Sequence, residues 1–429
     1  MTALALLCAC AEPDFILPGE RLDLRDGMPG AEAVETNEAR PISLPAPVLN
    51  ADFAQRGGSA RHMIPHPALG ATLTPVFSVD IGVGNNRRQR LTAEPLVLDG
   101  RVFTLDSGAG VQVQTTAGEV LWSRSLVIEG NRRAQISGGG LAVSGDTLYA
   151  VTGYGTVTAM AVDTGTVRWT QDIDAPGSGA PTVFDDLVYV VGRDSRAWAI
   201  ETSDGRVRWQ LQGTPSTTNF GSGAGVAAAG DLAIIPFPSG EVIATFPDGG
   251  VRRWSTVIGG ARPGDAAVVA ASDIAADPVI DGSRVYIGNM SGRIVALQTN
   301  TGDRVWTATE GAAGPVAPAG DSLFVINDIN QLVRLDRNTG SAIWRVQLPL
   351  SEEGGGLTRR TTRFVHYGPI LAGGRLIVAS SDGLLRQFDP VSGASVGDVA
   401  LPAGAASSPV VAGGVLYVLT ADGKLMAFR

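Results

Sequence analysis

A glycine stands four residues before a tryptophan at Gly118/Trp122, Gly165/Trp169, Gly205/Trp209, Gly250/Trp254, Gly302/Trp306 and Gly340/Trp344, so six of the seven tryptophans occupy one position of one repeat. Each glycine follows a polar residue and opens a short alternating run. That pattern predicts a tight turn feeding a strand, with glycine at the φ > 0 position. Upstream of Trp169 the chain reads Leu148-Tyr149-Ala150-Val151, then Tyr154-Gly155, then Val157-Thr158-Ala159-Met160. Upstream of Trp306 the same order holds: Val285-Tyr286-Ile287, Ser291-Gly292, Ile294-Val295-Ala296-Leu297. A Pro-x-Val-type strand and another turn precede each unit, as in Pro278-Val279-Ile280-Asp281-Gly282. Four short strands in a meander, repeated every ~40–50 residues, predict the blades of a β-propeller.

The first turn of each unit counts the blades. It falls at Asp99-Gly100, Gly145-Asp146, Asp185-Asp186, Gly230-Asp231, Asp281-Gly282, Gly320-Asp321, Gly373-Gly374 and Gly413-Gly414, which makes eight. The seventh unit lacks the tryptophan, since Gly393 is followed four residues on by Gly397. The eighth stops at its third strand, Leu425 to Arg429. The unpaired run Leu73 to Asp80, with Phe77 in the tryptophan position, is expected to complete it. Such closure removes an open edge that would template aggregation. The fold class is therefore all-β, an eight-bladed propeller of four-stranded antiparallel blades over residues 73–429.

The tryptophans read as blade-to-blade packing rather than a stacking platform. Burying each one contributes several kcal/mol, since core Trp→Ala changes cost about 3–5 kcal/mol. Trp198 sits on a third strand and reads as core.

The 56 glycines follow no G-X-Y period, which excludes collagen. A formal net charge of −9 argues against nucleic acid as a partner. The two cysteines, Cys8 and Cys10, lie ahead of the repeats, so no disulfide framework is available to the propeller. Three histidines, His62, His66 and His366, supply no metal-ligand cluster within the blades and no Ser/His/Asp set. His62 and His66 are spaced as a metal pair, but Pro65 and Pro67 forbid a regular helix there, which favours a solvated or capping role. The basic clusters Arg87-Arg88-Gln89-Arg90, Arg132-Arg133 and Arg359-Arg360 with Arg363 read as solvated loops. Gly221 to Gly225 leads into a strand rather than a helix, so it fails the dinucleotide-binding context. Glu352-Glu353 lies in a Gly-rich loop without a pocket signal.

Residues 1–10 resemble the end of a bacterial lipoprotein signal peptide. Leu7-Cys8-Ala9-Cys10 places Leu at −3 and Ala at −1 of Cys10, the expected lipid acceptor. A basic leading region and part of the apolar core are missing, so the start is expected to lie upstream of Met1. Residues 11–72 show no periodicity and read as a flexible linker.

Three inter-blade connections are long: Gln210 to Gly225, Ser255 to Asp277 and Arg345 to Gly368. Each joins a fourth strand to the next first strand. All such loops emerge on one face of a meandering propeller, which marks that face for binding.

The unit Leu-Tyr-Val…Asp-Gly…Ala-Leu-x-x-x-Thr-Gly-x-x-x-Trp resembles the pyrroloquinoline-quinone (PQQ) propeller repeat. Two groups use it with eight blades: the quinoprotein dehydrogenases, and the BamB lipoproteins of the outer-membrane β-barrel assembly (BAM) machinery. The dehydrogenases carry adjacent cysteines over the quinone, and the repeats here contain no cysteine. Size, lipobox and shared last blade all resemble the BamB family.

That resemblance implies a non-enzymatic scaffold with no cofactor. It would be lipid-anchored at the periplasmic face of the outer membrane and bind BamA, the BAM complex and, more widely, unfolded outer-membrane proteins. A PQQ-dependent dehydrogenase and a scaffold of another envelope complex are the alternatives. The family's Leu-x-Leu-Arg contact aligns with Thr217-Thr218-Asn219-Phe220, which keeps none of the three residues. Its Asp-x-Asp contact aligns with Asp273-Ile274-Ala275, which keeps the first aspartate. The expected partner-binding residues are Asn219, Phe220 and Asp273, with Arg262 and Asp265 beside them in the second long loop.

Overall fold

A computed structural model describes residues 37–128, 130, 138–216, 223–260, 262, 273–352 and 362–429. Eight four-stranded antiparallel sheets follow one another in chain order. The first blade, for example, comprises Leu96–Leu98, Arg101–Leu105, Gly110–Thr115 and Val120–Ser125. The last combines Val410–Ala412, Val415–Leu419 and Lys424–Phe428 with the N-terminal strand Pro75–Asp80, which pairs antiparallel through Phe77↔Ala427 and Val79↔Leu425. The expected closure is thus present. First strands of successive blades contact one another, while fourth strands alternate between buried and exposed positions, as Val167–Asp172 does. The sheets are therefore stacked radially, with first strands innermost.

One register position organises each blade. In the second blade Tyr149 faces Ala159, and Ala159 faces Trp169. The alanine leaves room for the rings on either side, whose centroids lie 5.8 Å apart. Tyr189/Ala199/Trp209 and Tyr286/Ala296/Trp306 repeat this with centroids 5.9 and 6.0 Å apart. Tyr417/Ala427/Phe77 repeats it in the closing blade, confirming Phe77 in the tryptophan position. Each tryptophan also reaches the next blade. Gly205 adopts φ +78°, and a Cβ there would sit 2.7 Å from the Trp169 ring. The turn glycine is required both for its backbone conformation and because indole occupies its side-chain space.

The missing tryptophan of the seventh blade has a structural reason. Its target would be the hairpin between the third and fourth strands of the eighth blade. There that hairpin does not exist, because the third strand ends at Phe428 and the fourth begins at Pro75.

The linker expected over residues 11–72 requires correction. Residues 1–36 lie outside the described residues, but 37–72 form a strap laid across the propeller. Inner-edge amides of the first strands donate to it at one equivalent position in five consecutive blades. Val97 N–H reaches Phe53 O at 2.9 Å, Val143 reaches Ala54 O at 2.8 Å, Val183 reaches Gln55 Oε1 at 2.9 Å, Ala228 reaches Ala60 O at 2.7 Å, and Ile280 reaches Arg61 O at 2.9 Å. The sixth blade has Pro318 there, which has no N–H to satisfy. An innermost strand has no neighbour on its axial side, and an amide buried without a partner is costly. The strap supplies those partners.

The sixth and seventh blades bind the strap through departures from the repeat. Arg334 replaces the alanine between Phe324 and Trp344 and is fully buried. Its guanidinium donates to the carbonyls of Arg40 and Pro41. Arg375 donates to the Gly70 carbonyl and to Gln387, which fills the corresponding position of the seventh blade. His66 is buried, accepting from Gly374 N–H at Nε2 (2.8 Å) and facing Pro45 O through Nδ1 at 2.7 Å. The capping role expected for it is present and the solvated one is not. His62 is also buried, with Nδ1 3.0 Å from Pro278 O.

Candidate partner-docking face

Each first strand runs from the face bearing the inter-blade connections to the face bearing the first turns. The strap occupies the latter. The three long connections begin and end on the former, which also carries the second hairpin turns.

Where it is described, this face is stitched by buried charge. Arg262, in the connection after the fourth blade, is fixed through its backbone N–H to Ser291 O at 2.8 Å. Its Nη2 lies 2.7 Å from Asp328 Oδ1 and 3.2 Å from Glu310 Oε2. Glu310, 1% exposed, sits in the connection between the fifth and sixth blades and also receives Arg345 Nη2 at 2.7 Å and Asn327 Nδ2 at 2.8 Å. Asp328 additionally caps Gly311 N–H at 3.0 Å. Burial works against the Arg262 charge, but its bonds to Asp328 and Glu310 more than offset this and raise its pKa. The guanidinium stays charged, and its Nη2 bridges two carboxylates, Glu310 from the connection ahead of the sixth blade and Asp328 from that blade's second hairpin turn.

The sequence-selected residues divide in three. Arg262 is on this face, and its side chain is 19% exposed. Asp273 is 3% exposed, and its carbonyl accepts from Met290 N–H at 3.2 Å. Its negative charge supports Arg193, whose pKa burial lowers. The expectation of Asp273 as a surface contact is therefore corrected: it holds the loop end in place. Asn219, Phe220 and Asp265 lie outside the described residues, as do Cys10, Arg132-Arg133 and Arg359-Arg360.

Glu310, Asp328 and Arg345 went unnoticed in the sequence. The available signal was weak, a lone glutamate in Thr309-Glu310-Gly311-Ala312-Ala313 whose partners lie 35 and 48 residues away. Of the basic clusters, Arg87 and Arg88 are exposed, whereas the charge of Arg90 acts on Tyr367, whose phenol burial pushes up to about 12. His366 is buried, with Nδ1 2.7 Å from Ser380 Oγ and Nε2 2.8 Å from Pro349 O. Among the described residues no three His, Cys, Asp or Glu side chains form a metal-ligand group, and no helix is long and apolar enough to cross a membrane.

Fold and repeat together define an eight-bladed propeller of the PQQ-like type. A family model described as "Outer membrane protein assembly factor BamB" matches residues 110–346 and 338–429. The chain belongs to that family. The BamB of Moranella endobia (strain PCIT) is 26% identical over 225 residues, 51% of this chain and 58% of the relative. That of Bordetella pertussis is 30% identical over 142 residues, 32% of each. The chain spans about half the length of the curated relatives it matches, from 51% to 61% among the first three. Among solved structures, BamB from Moraxella catarrhalis superposes with a TM-score of 0.67 at 17% identity, covering 83% of this chain and all of that one. The quinohemoprotein alcohol dehydrogenase of Comamonas testosteroni reaches the same TM-score at 13% identity, covering 88% of this chain and 80% of that one. Structural likeness at such identities speaks to fold alone.

Proposed function

We propose that this chain is a non-enzymatic scaffold subunit of the BAM complex. It binds the periplasmic domains of BamA through its long-loop face and so assists insertion of outer-membrane proteins. The observation that carries this reading is the BamB family match, which runs through every blade from the third strand of the first to the C-terminus. The rigid charge network around Arg262 and Glu310 supports the choice of face, because a preorganised surface spends less binding energy on ordering. Asn219, Phe220 and Asp265, which belong to connections that begin and end on that face, are the proposed direct contacts, together with Arg262. Residues 1–10 are proposed as the tail of a lipoprotein signal peptide and Cys10 as the lipid attachment point, placing the protein at the periplasmic face of the outer membrane.

Three experiments test the parts separately. Purified full-length protein is titrated with the periplasmic domains of BamA, and absence of binding removes the docking role. Cys10→Ala, expressed behind a complete lipoprotein leader, releases the protein to the soluble periplasm if Cys10 is lipidated. Incubation with PQQ and calcium leaves no retained cofactor absorbance and no dye-linked alcohol oxidation; either signal would favour the dehydrogenase reading.

A further inference from the structure

Where the strap crosses the propeller axis it meets an unequal set of charges. Arg56 Nε lies 2.8 Å from Asp277 Oδ2 but 4.0 Å from Glu94 Oε1. Its Nη1 donates to Gly223 O at 3.1 Å, and Asp277 Oδ1 accepts from Gly225 N–H at 2.6 Å. The guanidinium is thus committed to Asp277. Burial above all pushes the Glu94 carboxyl up, with the Asp277 charge adding to it and the Arg56 charge and hydrogen bonds from Ser408 and the Gly57 backbone opposing it. The neighbouring imidazoles do not balance the charge. His62 is kept low in pKa by burial first, with Asp277 and the Pro278 carbonyl opposing that and Arg56 adding to it. Both ring nitrogens of His66 are engaged by backbone groups, Nε2 by the Gly374 N–H and Nδ1 by the Pro45 carbonyl. Two carboxylates therefore face one guanidinium.

Glu94 opens onto a cavity of about 80 Å³ between the strap and the inner strands of the sixth to eighth blades. Its other walls are largely apolar, among them Ile64, Pro315, Val316, Pro369, Ile370 and Pro409. A largely buried carboxylate whose counter-ion, Arg56, stands 4.0 Å away and is shared with Asp277 is expensive beside such walls. A hard metal ion would want several oxygen ligands, and no group of three candidate side chains exists among the described residues. An anion would be repelled by the excess negative charge.

We propose that this axial cavity binds a small organic ammonium compound, its N–H groups on the Glu94 carboxylate and its apolar body against the proline-lined wall. One carboxylate and one apolar chamber suffice for that ligand class, in which a few polar groups orient a mostly apolar body.

The test uses the full chain and three probes of one shape: benzylammonium, benzyl alcohol and phenylacetate, each titrated by calorimetry. Benzylammonium is expected to bind at one site, more tightly than benzyl alcohol, with phenylacetate giving no heat. Glu94→Gln should weaken benzylammonium by at least about tenfold, the loss of one charge-assisted contact, and leave benzyl alcohol unchanged. Ile64→Phe, which narrows the chamber without touching a charge, should weaken both. A thermal melt of each variant separates lost binding from lost folding. Equal affinity for alcohol and ammonium, unchanged ammonium binding in Glu94→Gln, or no binding by the wild type would each overturn the proposal. In the last case proton uptake measured across the acid range would show that a proton, not a ligand, settles the Glu94 charge.

Discussion

The indole Nε1 of Trp169 donates to the carbonyl of Thr202, 2.9 Å away in the hairpin of the next blade. Trp122 does the same to Val162 at 2.8 Å, Trp254 to Thr299 at 2.8 Å and Trp306 to Arg337 at 3.0 Å. A ring that fills the space above a turn glycine and also bonds its hairpin fixes both the distance and the rotation between two blades. Trp169→Phe should cost about 0.5–1.5 kcal/mol through the lost hydrogen bond, and Trp169→Ala about 3–5 kcal/mol through the cavity as well. Gly205→Ala, at φ +78° and against the same ring, should also destabilise. Urea unfolding midpoints check all three.

Strap removal makes a separate prediction. Gln55→Ala leaves both the N–H and the C=O of Val183 without their side-chain partner and should cost about 1–3 kcal/mol. A chain starting at residue 73 keeps the closing strand but bares the inner edges, and should melt lower while staying monomeric. A chain starting at residue 85 also loses the Phe77↔Ala427 pairing and should expose an edge that associates. Light scattering beside a melt distinguishes the two.

The repeat and its closure were legible because they are local. Turn glycines, alternating runs and a spare strand all announce themselves within a few residues. The strap was not, because its residues have no period of their own. Gln55 belongs to Val183, 128 residues away, and Asn50 to Val411, 361 residues away. Arg334 and Gln387 stand where most other blades have alanine, and their purpose lies in partners far along the chain: the carbonyls of Arg40 and Pro41 for the one, Arg375 with its bond to Gly70 for the other. The long-loop face was legible from loop length. Its buried charges were not, since a glutamate among glycines and alanines does not name its partners.

Glu310 ties three elements together from a buried position. Glu310→Ala leaves Arg262 and Arg345 without that carboxylate and should cost about 3–5 kcal/mol, the usual penalty for breaking a buried pair. Glu310→Gln keeps the shape and should cost less. A surface pair such as Arg253 and Asp231, with Asp231 66% exposed, should be nearly neutral to removal. Chemical denaturation of the three variants gives the ranking.

Acid sensitivity should involve His366. Burial is the main cause holding its pKa below the ordinary 6.5, with Arg386 adding to it and the Pro349 carbonyl and Asp382 opposing it. A histidine lowered on folding binds more protons when unfolded, so its contribution is complete above the unfolded value. It falls as pH drops through that value toward the folded one. His366→Gln should therefore flatten the loss of stability between about pH 7 and about pH 5, while lowering stability at neutral pH through the changed bonds to Ser380 and Pro349. Unfolding midpoints across that range provide the slope; an unchanged slope would assign the acid sensitivity to other groups.

The docking proposal is tested most directly by titrating BamA periplasmic domains into the purified full chain and three variants, each with a thermal melt. The wild type should bind. Asn219→Ala with Phe220→Ala, in the connection between the third and fourth blades, should weaken binding by about 2 kcal/mol, roughly thirtyfold, as interface hot spots do. Arg262→Ala should weaken it less and lower the melting temperature, because part of its role is the bond to Asp328. Asp186→Ala, on the opposite face, should bind as the wild type does. Wild-type affinity in the Asn219/Phe220 variant together with loss in Asp186→Ala would place the interface on the strap side, and no binding by the wild type would contradict the scaffold reading itself.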